Sequence, residues 1–176
     1  MNKTNTVIAI FDSHEQAESA IKQLQQAGID MKSLSIAAKN THTDEHVIGY
    51  YNTGDRMKYW GKVGAFWGGL WGVLFGSAIF HIPTVGPILV AGPLVGWIIA
   101  ALEGAAVTGG VSAIGAGLVS IGIPKDSVLK YEVALKTEKY MLVIHGTYEV
   151  VDQARHVIER TEHHYYTVHG EPVFAE

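Results

Sequence analysis

Three groups of side chains could do chemistry. Nine histidines are many for a chain of 176 residues, and imidazole both ligates metals and titrates near neutral pH. His163, His164 and His169 lie together beside Glu162. On a strand, His163 and His169 share a face but stand about 20 Å apart. They are therefore weak metal candidates, needing ligands from another strand or chain. His42 and His46 flank Asp44-Glu45 and form a looser group. Glu103 and His81 are the ionisable side chains between Val63 and Ile123. An ionisable group in an apolar helical stretch is a functional-site hypothesis. For Glu103 the plainer reading is that it marks where a helix leaves its apolar surroundings.

Catalytic patterns are missing around these groups. The chain has no cysteine, which removes thiol nucleophiles, disulfides and cysteine metal sites. Gly61-Lys62 lacks the upstream glycine and the following Ser/Thr of a phosphate loop. No nucleophile elbow or paired catalytic carboxylates occur either. Lys+Arg 13 against Asp+Glu 17 gives no polyanion footprint. The expectation is a non-enzymatic protein with no catalytic residues, no cofactor and no nucleic-acid partner.

The elements that must position these groups differ sharply along the chain. In the N-terminal flank, Thr6–Phe11 (TVIAIF) reads as a strand. Ser13 followed by Gln16 matches a capping box, and Ala17, Ala20, Ile21 and Leu24 repeat at helical spacing. Gly28 closes that helix, and Ser33–Ala38 reads as a second strand. The C-terminal flank repeats the plan. Tyr140–His145 is a strand, Thr147 a cap, Val151, Ala154 and Ile158 a helical stripe, and His164–His169 a last strand. A constant offset of 134 places Ile8 on Leu142, Ile10 on Ile144, Ser13 on Thr147, Ala20 on Ala154 and Leu24 on Ile158. Two such units are the halves of a ferredoxin-like sandwich, an antiparallel four-stranded sheet under two helices.

The middle has another composition. In GAFWGGLWGVLFG, glycine stands at Gly64, Gly68, Gly72 and Gly76. Glycine costs a helix about 1 kcal/mol relative to alanine, so four of them imply close backbone packing. Val63–Ile82 is uncharged apart from His81 and is long enough to span a bilayer. A second row of small residues includes Gly92, Gly96, Ala100 and Gly104, as in membrane helix pairs. Because the flanks must reunite, the number of crossings must be even: a helical hairpin turning near His81–Gly86. Arg56, Lys58 and Lys62 on one side, and Lys125 and Lys130 on the other, favour a cytoplasmic split domain. The N-terminus does not read as a signal peptide. A mean hydropathy of +0.15 is low for a membrane protein, so a water-soluble oligomer burying these helices is the alternative.

The order of parts resembles the bacterial general stress protein 17M-like, heat-induced stress proteins with a glycine-zipper insert. The residues carrying it are VIAIFDSHEQAESAIKQLQQAGI, the zipper, IPTVGPILVAGPL and GLVSIGIPKDSVLKYEVALKTEKYMLVIHG. The resemblance implies a stress-linked role and carries over no catalytic residues. The connection Thr41–Trp60 and the His-rich last strand depart from it.

The sequence thus predicts an α+β chain, a ferredoxin-like βαβ-repeat sandwich split by a Gly-rich transmembrane hairpin. Residues 1–60 form the first half, 61–123 the zipper hairpin, and 124–176 a connecting helix and the second half. Helix packing would run through Gly64, Gly68, Gly72, Gly76, Gly92, Gly96, Ala100 and Gly104. The expected partners are membrane lipid and further copies of the chain, in a multi-pass inner-membrane protein. A ligand- or metal-sensing module signalling through the hairpin is the competing function.

Overall fold

The computed structural model describes residues 5–39, 77–82, 86–103 and 112–170. Strand β1 (Asn5–Phe11) leads into helix α1 (His14–Gln26), and a 3-10 turn at Met31–Ser33 leads into β2 (Leu34–Lys39). Strands β3 (Ser77–Ile82) and β4 (Gly86–Ala91) follow, then helices α2 (Leu94–Glu103), α3 (Ala113–Ser120) and α4 (Lys125–Lys136). Strand β5 (Tyr140–Gly146), helix α5 (Tyr148–Arg160) and strand β6 (Tyr165–His169) complete the order.

The helix starts are where the capping residues put them. Ser13 Oγ accepts from the Gln16 N–H, and Gln16 Oε1 accepts in return from the Asp12 N–H. Thr147 caps α5 in the same way through the Val150 N–H. Helix α2 has its cap supplied from elsewhere. The fully buried Ser35 on β2 accepts from the Leu94 N–H at 3.0 Å, which ties the helix start to the sheet.

The strands form a six-stranded sheet in the order β3-β4-β2-β5-β1-β6, every neighbouring pair antiparallel. The four strands of the two flanking units occupy β2-β5-β1-β6, interleaved as the repeat requires. Helices α1 and α5 cover one face through Ala17, Ala20, Ile21, Leu24, Val151, Ala154 and Ile158, packed on Val7, Ala9, Phe11, Leu142 and Ile144. The opposite face is covered as well. Ile8, Ile10, Met141 and Val143 pack there with Leu94 and Ile98 of α2, Ile114 and Leu118 of α3, and Val128 and Leu135 of α4. The result is three layers, with the sheet in the middle.

This arrangement corrects three expectations. Residues 77–82 and 86–91 were expected to complete one membrane helix and begin the next. They are paired strands of the sheet, with Phe80 opposite Ile88 and Ile82 opposite Gly86. The turn expected near His81–Gly86 thus joins two strands rather than two transmembrane helices. The chemistry is consistent with that: SAIFHI and GPILVA are short runs rich in β-branched and aromatic residues, bounded by Gly and Pro. Once β3 starts at Ser77, the uncharged run beginning at Val63 has only residues 63–76 left. Those residues lie outside the described ones. Among the described residues no helix is long and apolar enough to cross a membrane.

Secondly, the described middle is not a separate hairpin bounded at 61 and 123. Helices α2 and α3 are part of the same three-layer unit as the flanks. Thirdly, the repeat is offset differently in its strands and its helices. At 134, Ser13 and Thr147 are both caps, and Ala20 and Ala154 share one core. Ile8 and Leu142, however, point to opposite faces. Asp12 is an extra residue between β1 and its cap, whereas β5 runs directly into Thr147. One inserted residue flips every strand side chain to the other face.

Candidate functional site

Register brings together a polar row that spacing along the chain does not reveal. Thr6 on β1 stands opposite His145 on β5 and, across its other edge, opposite His169 on β6. Alternation puts all three on the face covered by α2, α3 and α4, beside Ile8 and Val143. Two aromatic side chains from that helical layer close over the row. The Trp97 ring of α2 meets the His145 ring edge-on, with centroids 4.6 Å apart. Tyr131 of α4, 1% exposed, has its hydroxyl 2.6 Å from His169 Nε2.

Burial sets the protonation states. It pushes the Tyr131 phenol up to about 12, and it lowers both His169 and His145. In His145 a backbone contact at Ser33 opposes the shift without reversing it. At neutral pH the row is therefore uncharged. Thr6 Oγ1 and His145 Nδ1 are buried and find no hydrogen-bond partner, a cost of about 1–3 kcal/mol per group unless water enters. Three surface grooves lie elsewhere and are lined by none of these side chains.

Acid should act on this row first. Unfolding returns both histidines to a pKa near 6.5, above their folded values, so the unfolded state binds more protons once the pH falls below about 6.5. Stability is then level above that pH and declines on acidification towards pH 5. Carboxylates such as Asp12, held low by Lys139, add their own loss only at lower pH. The urea midpoint at pH 5.5 should lie below that at pH 7.5. The double variant His145→Phe/His169→Gln should flatten the difference, and an unaltered pH slope in that variant would sink the assignment.

The histidines named as weak metal candidates go to three separate partners. His169 binds Tyr131, His163 Nδ1 lies 2.8 Å from the Thr161 carbonyl, and His164 Nδ1 lies 3.3 Å from Asp12 Oδ1. Among the described residues no group of three His, Cys, Asp or Glu side chains is arranged to hold a metal ion. Glu103 is the exposed last residue of α2. His81 lies in β3 opposite Pro87. His42 and His46 lie outside the described residues, as do Gly64, Gly68, Gly72, Gly76 and Gly104.

The other packing candidates have different duties. Gly92 has φ +95° and lies against β2, where a Cβ would meet the Leu34 carbonyl oxygen. It is a backbone approach inside the domain. Gly96 faces open space and Ala100 is exposed. The close helix–helix contact is made by Gly117 of α3, where a Cβ would lie 2.6 Å from Ile98 Cγ1 of α2. Spacing by fours does not select that residue.

On the opposite face, Arg155 binds Asp152 at 2.8 Å and Glu159 at 2.6 Å, and the Tyr166 hydroxyl donates to Glu159 at 2.6 Å. These contacts hold Glu159 low and Arg155 high. They fasten α5 to the edge strand β6 and leave no group of the network poised for chemistry.

Residues 6–81 match the family model described as the heat induced stress protein YflT domain. The match runs from β1 into β3 and makes this part of the chain similar to the heat-induced stress proteins, as the resemblance implied. No curated protein and no solved structure matches the chain.

Proposed function

We propose that this is a stress-associated protein that acts by association with further copies of itself rather than by catalysis. The similarity of residues 6–81 to the heat-induced stress protein domain supports the stress link. The observation carrying the rest is the contrast between its polar and apolar groups. The polar row is neutral and roofed by aromatic rings, while large apolar side chains stand in solvent: Ile99 and Leu102 on α2, and Leu129 and Val133 on α4. A surface of that kind favours protein contact. Residues 63–76, which lie outside the described residues, carry Phe and Trp side chains of the kind that contact a membrane surface.

The test is the mass and extraction behaviour of the full chain. An alkaline carbonate wash should release it from membranes without detergent. Light scattering should then give a mass above the 19.1 kDa of one chain. A monomer at every concentration would overturn self-association. A requirement for detergent would show that the chain is inserted in the membrane and overturn the peripheral contact.

A further inference from the structure

Helix α4 carries the most exposed large apolar side chains among the described residues, Leu129 at 60% and Val133 at 61%. With Asp126 and Lys136 they form one stripe, spaced 3, 4 and 3 residues apart, the seam spacing of a paired helix. All four are exposed. The opposite side of the helix is core, through Val128, Tyr131 and Leu135. Beside the stripe runs an apolar groove of about 410 Å³, between α4 and the start of β6, floored by Ala134 and Tyr165.

The charges on the stripe are self-complementary. If a second α4 is laid antiparallel, with a two-fold axis at the level of Tyr131, Leu129 meets the second copy's Val133. Asp126 then meets the second copy's Lys136, and the same pair forms again at the other end. The two charges lie about 15 Å apart along one helix, so they cannot pair within it. Neither forms an ion pair with any described residue. A two-fold contact needs this pattern: one patch that matches itself, apolar at the centre and oppositely charged at its two ends.

We infer that the exposed face of α4, with its groove, is a two-fold contact that receives α4 of a second copy antiparallel. This rests on the self-association reading and names the surface. A second copy is favoured over a lipid surface because only a partner of matching charge pattern meets both Asp126 and Lys136 with an opposite charge.

Charge exchange tests it without disturbing the core. Asp126→Lys alone, or Lys136→Asp alone, sets like charges against each other at both ends and should weaken dimerisation about tenfold. The double exchange Asp126→Lys/Lys136→Asp re-forms both pairs and should restore it. Orientation has its own readout in this cysteine-free chain. Asp126→Cys and Lys136→Cys lie level across the axis on the seam itself, and the mixed pair keeps one Asp126–Lys136 contact at the other end, so a mixture of the two should give the mixed disulfide in preference to either like pair. Four outcomes would overturn the inference. If wild type assembles and both single exchanges assemble equally well, the contact lies elsewhere and self-association stands. If wild type is monomeric, self-association itself has failed. Flotation with anionic vesicles that is lost in Leu129→Glu/Val133→Glu would make the occupant a membrane. Slow thiol labelling of Leu129→Cys at monomer concentrations would assign the face an intramolecular cover.

Discussion

Gly92→Ala should cost about 3–5 kcal/mol, a large share of the 5–15 kcal/mol of a typical domain. Two effects add. At φ +95° an L side chain is strained, by about 1–2 kcal/mol. The new methyl group would also meet the Leu34 carbonyl oxygen and lie 2.9 Å from Ser35 Cα. These are backbone atoms of β2, and β2 is held between β4 and β5, so the strand cannot yield cheaply. A shift there would also disturb Ser35, which caps α2. The midpoint of thermal unfolding should fall by about 10 °C for a chain of this size. Gly28→Ala is the matched control. Its φ is +86° with nothing within 4 Å of the added carbon, so it bears the strain without the collision and should cost only about 1–2 kcal/mol. Equal losses at both positions would show that strain alone matters and that β4 does not hand the chain to α2 by close contact with β2.

What could be read beforehand was local. Capping boxes and helical stripes are short-range signals, and Ser13, Thr147, Ala20 and Ala154 do what their spacing indicates. The second helical layer also left a trace. TVIAIF and MLVI are continuous apolar runs rather than alternations, as strands buried on both faces require, and every residue of β1 is buried. That signal stands against the one-faced sheet the repeat suggested, but it does not say which elements cover the second face. The middle of the chain misled for a physical reason. A continuous apolar run reads alike as a membrane helix, a buried strand or a core helix, because all three exclude water. Length separates them, and Pro83, Pro87 and Pro93 cut this run into pieces short enough for strands. The polar row was not legible at all. Thr6, His145 and His169 are neighbours through register, and register depends on Asp12 and the turns rather than on spacing along one element.

Association and fold meet at the second helical layer. Its inner side supplies Trp97 and Tyr131 to the polar row and Leu94, Ile114 and Leu135 to the core. Its outer side bears Ile99, Leu102, Leu129 and Val133. A self-contact on α4 therefore sits one helix thickness from the Tyr131–His169 pair, on the same element. Acid that charges His169 loosens the hold of β6 on α4, and the two-fold contact is built on α4.

The last expected result concerns glycine, and it separates two uses of the residue within one pair of helices. Gly117→Val should cost about 2 kcal/mol or more, whereas Gly96→Ala should gain about 0.5–1 kcal/mol. At Gly117 a Cβ would stand 2.6 Å from Ile98 Cγ1, and 3.2 and 3.3 Å from the Ile98 nitrogen and Cα. Rotating Ile98 relieves the first contact but not the other two, so α2 and α3 must separate. Overpacking of this kind costs about 1–3 kcal/mol and occasionally more. The helix-propensity gain, under 1 kcal/mol for valine, offsets part of it. At Gly96 nothing lies within 4 Å, so alanine meets no obstacle and simply favours the helix. Urea midpoints of the two variants should therefore move in opposite directions. A neutral Gly117→Val would mean that α2 and α3 do not rely on close approach. Assembly mass decides what stability cannot. If Gly96→Ala alters the mass while raising the midpoint, this open face of α2 is itself a contact between copies, and glycine there serves assembly; an unchanged mass leaves Gly117 as the glycine of this pair that serves packing.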